Sequence, residues 1–169
     1  KAVHPYAWGV DRLSIDMEAL AHNTLRLLDL SLVLPDGELV EAPGHDSLPE
    51  SIDLGQLTQS QHSVTWYAAL PVFKHFGGNF AQAGQPSNGA RFSQTNADTP
   101  DLYTQAAQAE RPALKKSLRL MSDAEPREGY VCLPLLRVRR LSTGGLALDP
   151  GLVPPSLTIR HAQPVYLQL

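Results

Sequence analysis

A chain of 169 residues, 43% hydrophobic and 18% charged, is long enough for one ordinary domain with a sizeable core and short for two. Its formal net charge of -3 offers no broad basic field to a nucleic-acid backbone, and no apolar run approaches the roughly 18 residues that a membrane helix needs, so neither nucleic acid nor direct membrane insertion is expected. The lone cysteine, Cys132, excludes an intrachain disulfide and suits a reducing compartment, read here as the cytoplasm, where it would serve as a small buried hydrophobe.

Fourteen prolines and twelve glycines punctuate the chain, and apolar residues mostly alternate over short windows instead of recurring at helical spacing. That pattern predicts an all-β single domain over 1–169, a β-sandwich of jelly-roll-like type in preference to a closed barrel. The one short helix expected runs from Asp16 to Ala21, with Asp16 as its N-cap. Leu28, Leu30, Leu32 and Leu34 then share one face of a strand, Pro35-Asp36-Gly37 supplies a turn, and the next strand passes through Leu39 and Val40. Leu25 and Leu27 have the opposite parity, which predicts a bulge near Leu27 or Leu28.

Val64, Trp66, Ala68, Leu70 and Val72 alternate with Thr65, Tyr67 and Ala69, so this strand carries a core face on which Trp66 is the anchor. The stretch 74–100, rich in Gly, Asn, Gln, Ser and Ala, reads as a long mobile loop or insertion. A strand containing Leu118 and Leu120 follows. The run from Tyr130 to Leu136 is apolar at both parities, as expected of a central strand covered on both faces. Gly144-Gly145 can take the positive φ of a tight hairpin, with Leu146 and Leu148 alternating on the return.

Little in this pattern points to chemistry. His45-Asp46-Ser47 holds the residue types of a hydrolytic triad, but chain neighbours do not normally form that relay, and an ordinary polar turn explains them better. The histidines show no paired helical spacing for a metal, and the glycines at 77, 78 and 84 lack the Lys-Ser/Thr of a phosphate loop. Asp98 and Asp101 flank Thr99-Pro100 and read as an extended turn. No catalytic, cofactor-binding or metal-binding residue is therefore assigned, and no cofactor is expected. Arg137 and Arg139 would lie side by side on one strand face, either as a solvated edge that discourages strand pairing or as a partner-binding patch. Tyr6 and Trp8 are the aromatic candidates for the same role, with packing against the domain's own core as the alternative.

The order of landmarks carries a resemblance. His4-Pro5-Tyr6-Ala7-Trp8-Gly9-Val10, Leu34-Pro35-Asp36-Gly37, Ala42-Pro43 and Leu48-Pro49 lead to Tyr130-Val-Cys-Leu-Pro, Leu136-Arg-Val-Arg-Arg, Gly144-Gly145, Leu148-Asp149-Pro150 and Val153-Pro154-Pro155-Ser156-Leu157. The set resembles the TssK (ImpJ/VasE) family of type VI secretion baseplate subunits. The resemblance implies an N-terminal domain like the shoulder domain of siphophage receptor-binding proteins, with the family's helical neck and C-terminal head absent. It further implies a non-enzymatic structural adaptor: a homotrimer when full length, docking onto a wedge of TssF and TssG, and reaching TssL and TssM through the absent C-terminal region. Its place would be the cytoplasm, at the inner face of the bacterial inner membrane. A ligand-binding β-sandwich that recognises a carbohydrate or a receptor is the alternative from another class.

Overall fold

The computed structural model describes residues 7–55, 62–82, 89–100, 108–142 and 144–158, except the side chains of 97–100 and 108–111. Strand β1 (Gly9–Ile15) leads into a five-residue helix, α1 (Met17–Ala21), whose start is set by Asp16: its side chain accepts the amide of Ala19 at 2.9 Å. The chain then passes through β2 (Thr24–Leu25), β3 (Leu27–Val33), β4 (Leu39–Ala42) and β5 (Ile52–Asp53). It continues in β6 (Ser63–Pro71), β7 (Phe80–Ala81), β8 (Phe92–Pro100), β9 (Gln108–Lys116) and β10 (Arg119–Ser122), and ends in β11 (Tyr130–Arg140) and β12 (Leu146–Leu148).

The fold is all-β and mostly antiparallel. One sheet has the order β1-β3-β4, a second β10-β6-β11-β12 and a third β7-β8-β9, while β2 and β5 pair separately. The first two sheets close one core. Leu30, Leu32, Leu34 and Val40 come from or directly follow the first sheet, and Trp66, Ala68, Leu70, Leu120, Leu133 and Val138 come from the second. Each fully buried Leu or Val side chain contributes about 1.5–3 kcal/mol, so this layer is what holds the two sheets together.

The expected bulge lies at Leu28. Ser14 pairs with Asp29 and Ile15 with Leu27, so the register passes over Leu28, which is 49% exposed. This corrects the placement of Leu28 on the core face, and it explains how Leu25 and Leu27 can be buried together with Leu30 and Leu32. Another register shift falls between Pro134 and Leu136 on β11. The apolar run there therefore does not reflect cover on both faces: the shift at Leu135 lets Leu133, Leu135 and Leu136 all become buried, while Tyr130, Cys132 and Pro134 stay half-exposed. Burial still raises the pKa of the Cys132 thiol, because the thiolate is poorly solvated there.

Other expectations shift in detail. Val72 lies beyond the end of β6 and is 36% exposed, and Leu118 is buried just ahead of β10 instead of inside it. The hairpin between β11 and β12 forms with Gly144 at φ 89°, and it pairs Arg140 with Leu146. The larger difference is in the stretch 74–100, read from sequence as a long mobile loop or insertion with no strand in it. It contains β7 and the whole of β8, which pairs with β9 over nine residues from Phe92↔Lys116 to Pro100↔Gln108. Backbone pairing there needs no apolar alternation, which is why the polar composition concealed it.

The segment after β12 returns to β1. The Val10 amide donates to the Pro155 carbonyl at 2.7 Å, and the Leu157 amide donates to the Val10 carbonyl at 2.9 Å, so Ser156 bridges Val10 in parallel. Gly9 makes this approach possible. Its φ is 146°, and a Cβ on it would stand 2.8 Å from the Pro155 carbonyl oxygen.

Candidate functional site

Continuous pairing of Arg137 with Thr65, Val138 with Val64 and Arg139 with Ser63 puts the two arginines on one face of β11, as the alternation predicts. Arg137 is anchored there. Its Nε donates to Thr65 Oγ1 at 3.2 Å, and its Nη1 stands 3.5 Å from Asp149 Oδ2. The Asp149 carboxyl also accepts the Gly151 amide at 2.9 Å, and this bond, helped by Arg137 and Arg139, holds its pKa below the usual carboxylate value. Arg139 is exposed beside it. Trp8 is half-buried against the core at the entrance to β1, so it belongs to the other main sheet. Tyr6 lies outside the described residues. Trp66, the expected core anchor, is 1% exposed and unavailable to a ligand.

The residues of His45-Asp46-Ser47 point to different partners. His45 Nδ1 is 3.1 Å from Glu41 Oε2, while Asp46 is buried and accepts Lys116 Nζ at 3.1 Å and the Glu41 amide at 3.2 Å. Ser47 is exposed. No hydrolytic relay is assembled. Among the described residues no three His, Cys, Asp or Glu side chains gather as metal ligands.

Sequence reasoning missed Arg91, which lies in the glycine- and asparagine-rich stretch and is 3% exposed. Its Nη1 donates to the Pro71 carbonyl at 2.9 Å, and its Nη2 donates to Asp36 Oδ2 at 2.8 Å and Glu38 Oε2 at 3.0 Å. Glu38 also faces Lys116 Nζ at 3.5 Å. The turn at Pro35-Asp36-Gly37, together with Glu38 that follows it, thus also supplies the anionic half of a partly buried network. A hollow of 340 Å³ opens beside it, lined by Glu38, Leu39, Glu41, His45, Asp46 and Lys116. A buried arginine leaves no periodic signal, so only the carboxylates of the turn hint at its existence.

Compared with protein families, residues 1–169 match the family described as bacterial type VI secretion, EvfL, ImpJ and VasE. The chain belongs to this family. Compared with curated proteins, it has no match. Among solved structures it is similar to a chain of the type VI TssK-TssF-TssG baseplate subcomplex, with a TM-score of 0.84 at 25% identity, over 95% of this chain and 53% of that one. A chain of the type VI baseplate complex aligns with a TM-score of 0.78 at 26% identity, over 90% of this chain and 34% of that one. TssK of the EAEC type VI system, solved with nanobody nb18, shares the fold with a TM-score of 0.77 at 24% identity, over 95% of this chain and 50% of that one. This member of the family thus spans about half the length of the first two TssK-containing matches. These neighbours belong to type VI baseplate complexes and support a baseplate structural role. Among the described residues, no helix is long and apolar enough to cross a membrane.

The electrostatics give one pH-dependent expectation. Asp16 is lowered by the Ala19 amide and by Arg26, and Asp149 by the Gly151 amide and Arg137. A carboxyl with a depressed folded-state pKa adds stability that is complete above its ordinary value of 3.8 and is lost as the pH falls through the lower folded value. Urea titrations between about pH 5 and about pH 2 should therefore show a shallower loss of stability in the Asp16→Asn, Asp149→Asn double variant than in the parent.

Proposed function

We propose that this chain is the N-terminal, shoulder-like domain of a type VI baseplate subunit and that it docks onto a wedge of TssF and TssG. The observation that carries this reading is the match over 95% of the chain to a chain of the TssK-TssF-TssG subcomplex. The fold suits an adaptor: two hydrogen-bonded sheets around one core hold their shape, and recognition falls to strand faces and turns. In the full-length protein the domain would sit in a homotrimer on the cytoplasmic side of the inner membrane, with a further C-terminal region reaching TssL and TssM. No cofactor or catalytic step enters this role.

The contact residues of this reading are Arg137 and Arg139, with Trp8 and Tyr6 as the aromatic candidates. Arg137 is held in place by Thr65 and Asp149, so it meets a partner with little ordering cost, and arginine is favoured at the centres of interfaces. Co-expression with TssF–TssG, followed by purification and light scattering, should yield a complex containing this chain. Reversing Arg137→Glu and Arg139→Glu should weaken that complex by roughly tenfold or more, most strongly at low salt. Unchanged binding at low and high salt, in a variant whose melting temperature matches the parent, would remove the arginines from the interface. No complex with either the isolated domain or the full-length protein would overturn the docking itself.

A further inference from the structure

The third sheet, β7-β8-β9, stands apart from the core in its chemistry. Among the described residues, the buried cluster between the two main sheets draws no side chain from β7, β8 or β9. Two of the large apolar side chains on this unit face outward instead, while Phe92 is half-buried: Phe80 is 49% and Leu114 61% exposed, around an open hollow of 250 Å³ that they share with Gln94, Pro112 and Ala113. A unit that buries so little against its host has to be held by something other than the hydrophobic effect.

Two cations stand at its root. Arg91 immediately precedes β8 and Lys116 ends β9, and Phe92↔Lys116 is the first pair of the β8–β9 ladder. The Ser117 amide donates to the Arg91 carbonyl at 2.9 Å and closes the root between them. Both side chains leave the unit and enter one carboxylate cluster on the neighbouring turns. Arg91 engages Asp36 and Glu38 after β3, while Lys116 engages Asp46 after β4 and approaches Glu38. Glu38 therefore touches both cations and couples them.

We propose that β7-β8-β9 is a latched arm, which opens from the two main sheets as a unit when the Arg91–Lys116 cluster is broken while the core stays folded. The latch is strong because Arg91 is 3% exposed and the Asp46 side chain 5% exposed, where water competes weakly for the charges. It is also discrete. Removing one cation strands its carboxylates, and among the described residues no arm side chain belongs to the core cluster, so the cost falls on the attachment and not on the strands beneath. The arm's own nine-residue ladder between β8 and β9 survives that opening. This inference stands apart from wedge docking and would hold without it.

Native-state hydrogen exchange followed by mass spectrometry tests it on the folded protein and on the Lys116→Met and Arg91→Met variants. The Lys116 amide, which donates to Asp46 Oδ1 at 3.5 Å across the junction and is read in peptides covering 115–118, should exchange about tenfold faster or more in Lys116→Met, and faster still in Arg91→Met. Amides of β3, β6 and β11 should keep the parent's rates. Equal acceleration of this amide and the core amides would show one cooperative unit and overturn the proposal, as would an unchanged rate at position 116. If Arg91→Met does not fold, Lys116→Met alone decides.

Discussion

Trp66→Ala is expected to destabilise the protein by about 3–5 kcal/mol, read from urea unfolding followed by circular dichroism. Trp66 is 1% exposed in the middle of β6, a strand paired on both sides: Ser122 of β10 lies opposite it on one edge and Leu136 of β11 on the other. Its neighbours come from three strands of one sheet and face leucines of the other, so they cannot collapse into the space that the indole leaves. The indole N–H has no hydrogen-bond partner. Trp66→Phe should consequently cost much less than the alanine change: it keeps most of the volume, strands no acceptor and removes an unpaired buried donor. A similar loss in both variants would show that the N–H makes a bond and that volume is not what Trp66 supplies.

Gly9→Ala should cost about 2–4 kcal/mol, a large effect for the addition of one methyl group. Two penalties add. The backbone at φ 146° is one that residues with a Cβ rarely adopt, and the new Cβ would press on the Pro155 carbonyl oxygen at 2.8 Å and the Ser156 carbonyl carbon at 3.1 Å. Both obstacles are backbone, which cannot rotate away as a side chain can. Relief requires the segment 154–157 to lift from β1, so the same variant should lose hydrogen-exchange protection at Val10 and Leu157, whose amides make the two bonds. Gly145→Ala is the control, since open space surrounds that position and its φ is ordinary.

What could be read from the residues divides along physical lines. The N-cap at Asp16, the parity break at Leu27 and Leu28, the Trp66 face and the glycine turn at Gly144 were all legible, because each is a local consequence of period, propensity or φ. The same local signal misled at Tyr130–Leu136, where an apolar run at both parities has two causes and the bulge at Leu135 is the operative one. Strand β8 was not legible. Phe92-Ser-Gln-Thr-Asn-Ala has no alternating apolar face, because among the described residues its sheet contributes nothing to the core cluster, and it is set instead by backbone pairing with β9. Arg91 and Asp46 were hidden for a related reason. Their burial follows from long-range ion pairs across 55 and 70 positions of sequence, and no window of neighbours carries that information.

The meeting of β1 with the segment 154–157 accounts for the widely separated landmarks that carried the resemblance. Trp8-Gly9-Val10 and Val153-Pro154-Pro155-Ser156-Leu157 stand at opposite ends of the described chain yet form one contact. A requirement at either end is therefore a requirement on both.

Leu28 has a further consequence for how such chains vary in length. Without that one residue, Leu27, Leu30, Leu32 and Leu34 would follow one another at strict alternation, with Asp29, Ser31 and Val33 between them. The same leucines would point inward whether or not Leu28 is present. An insertion or deletion at this point changes the length of a core strand without reassigning its inner face, so gaps in alignments of related chains belong here as naturally as in any surface loop.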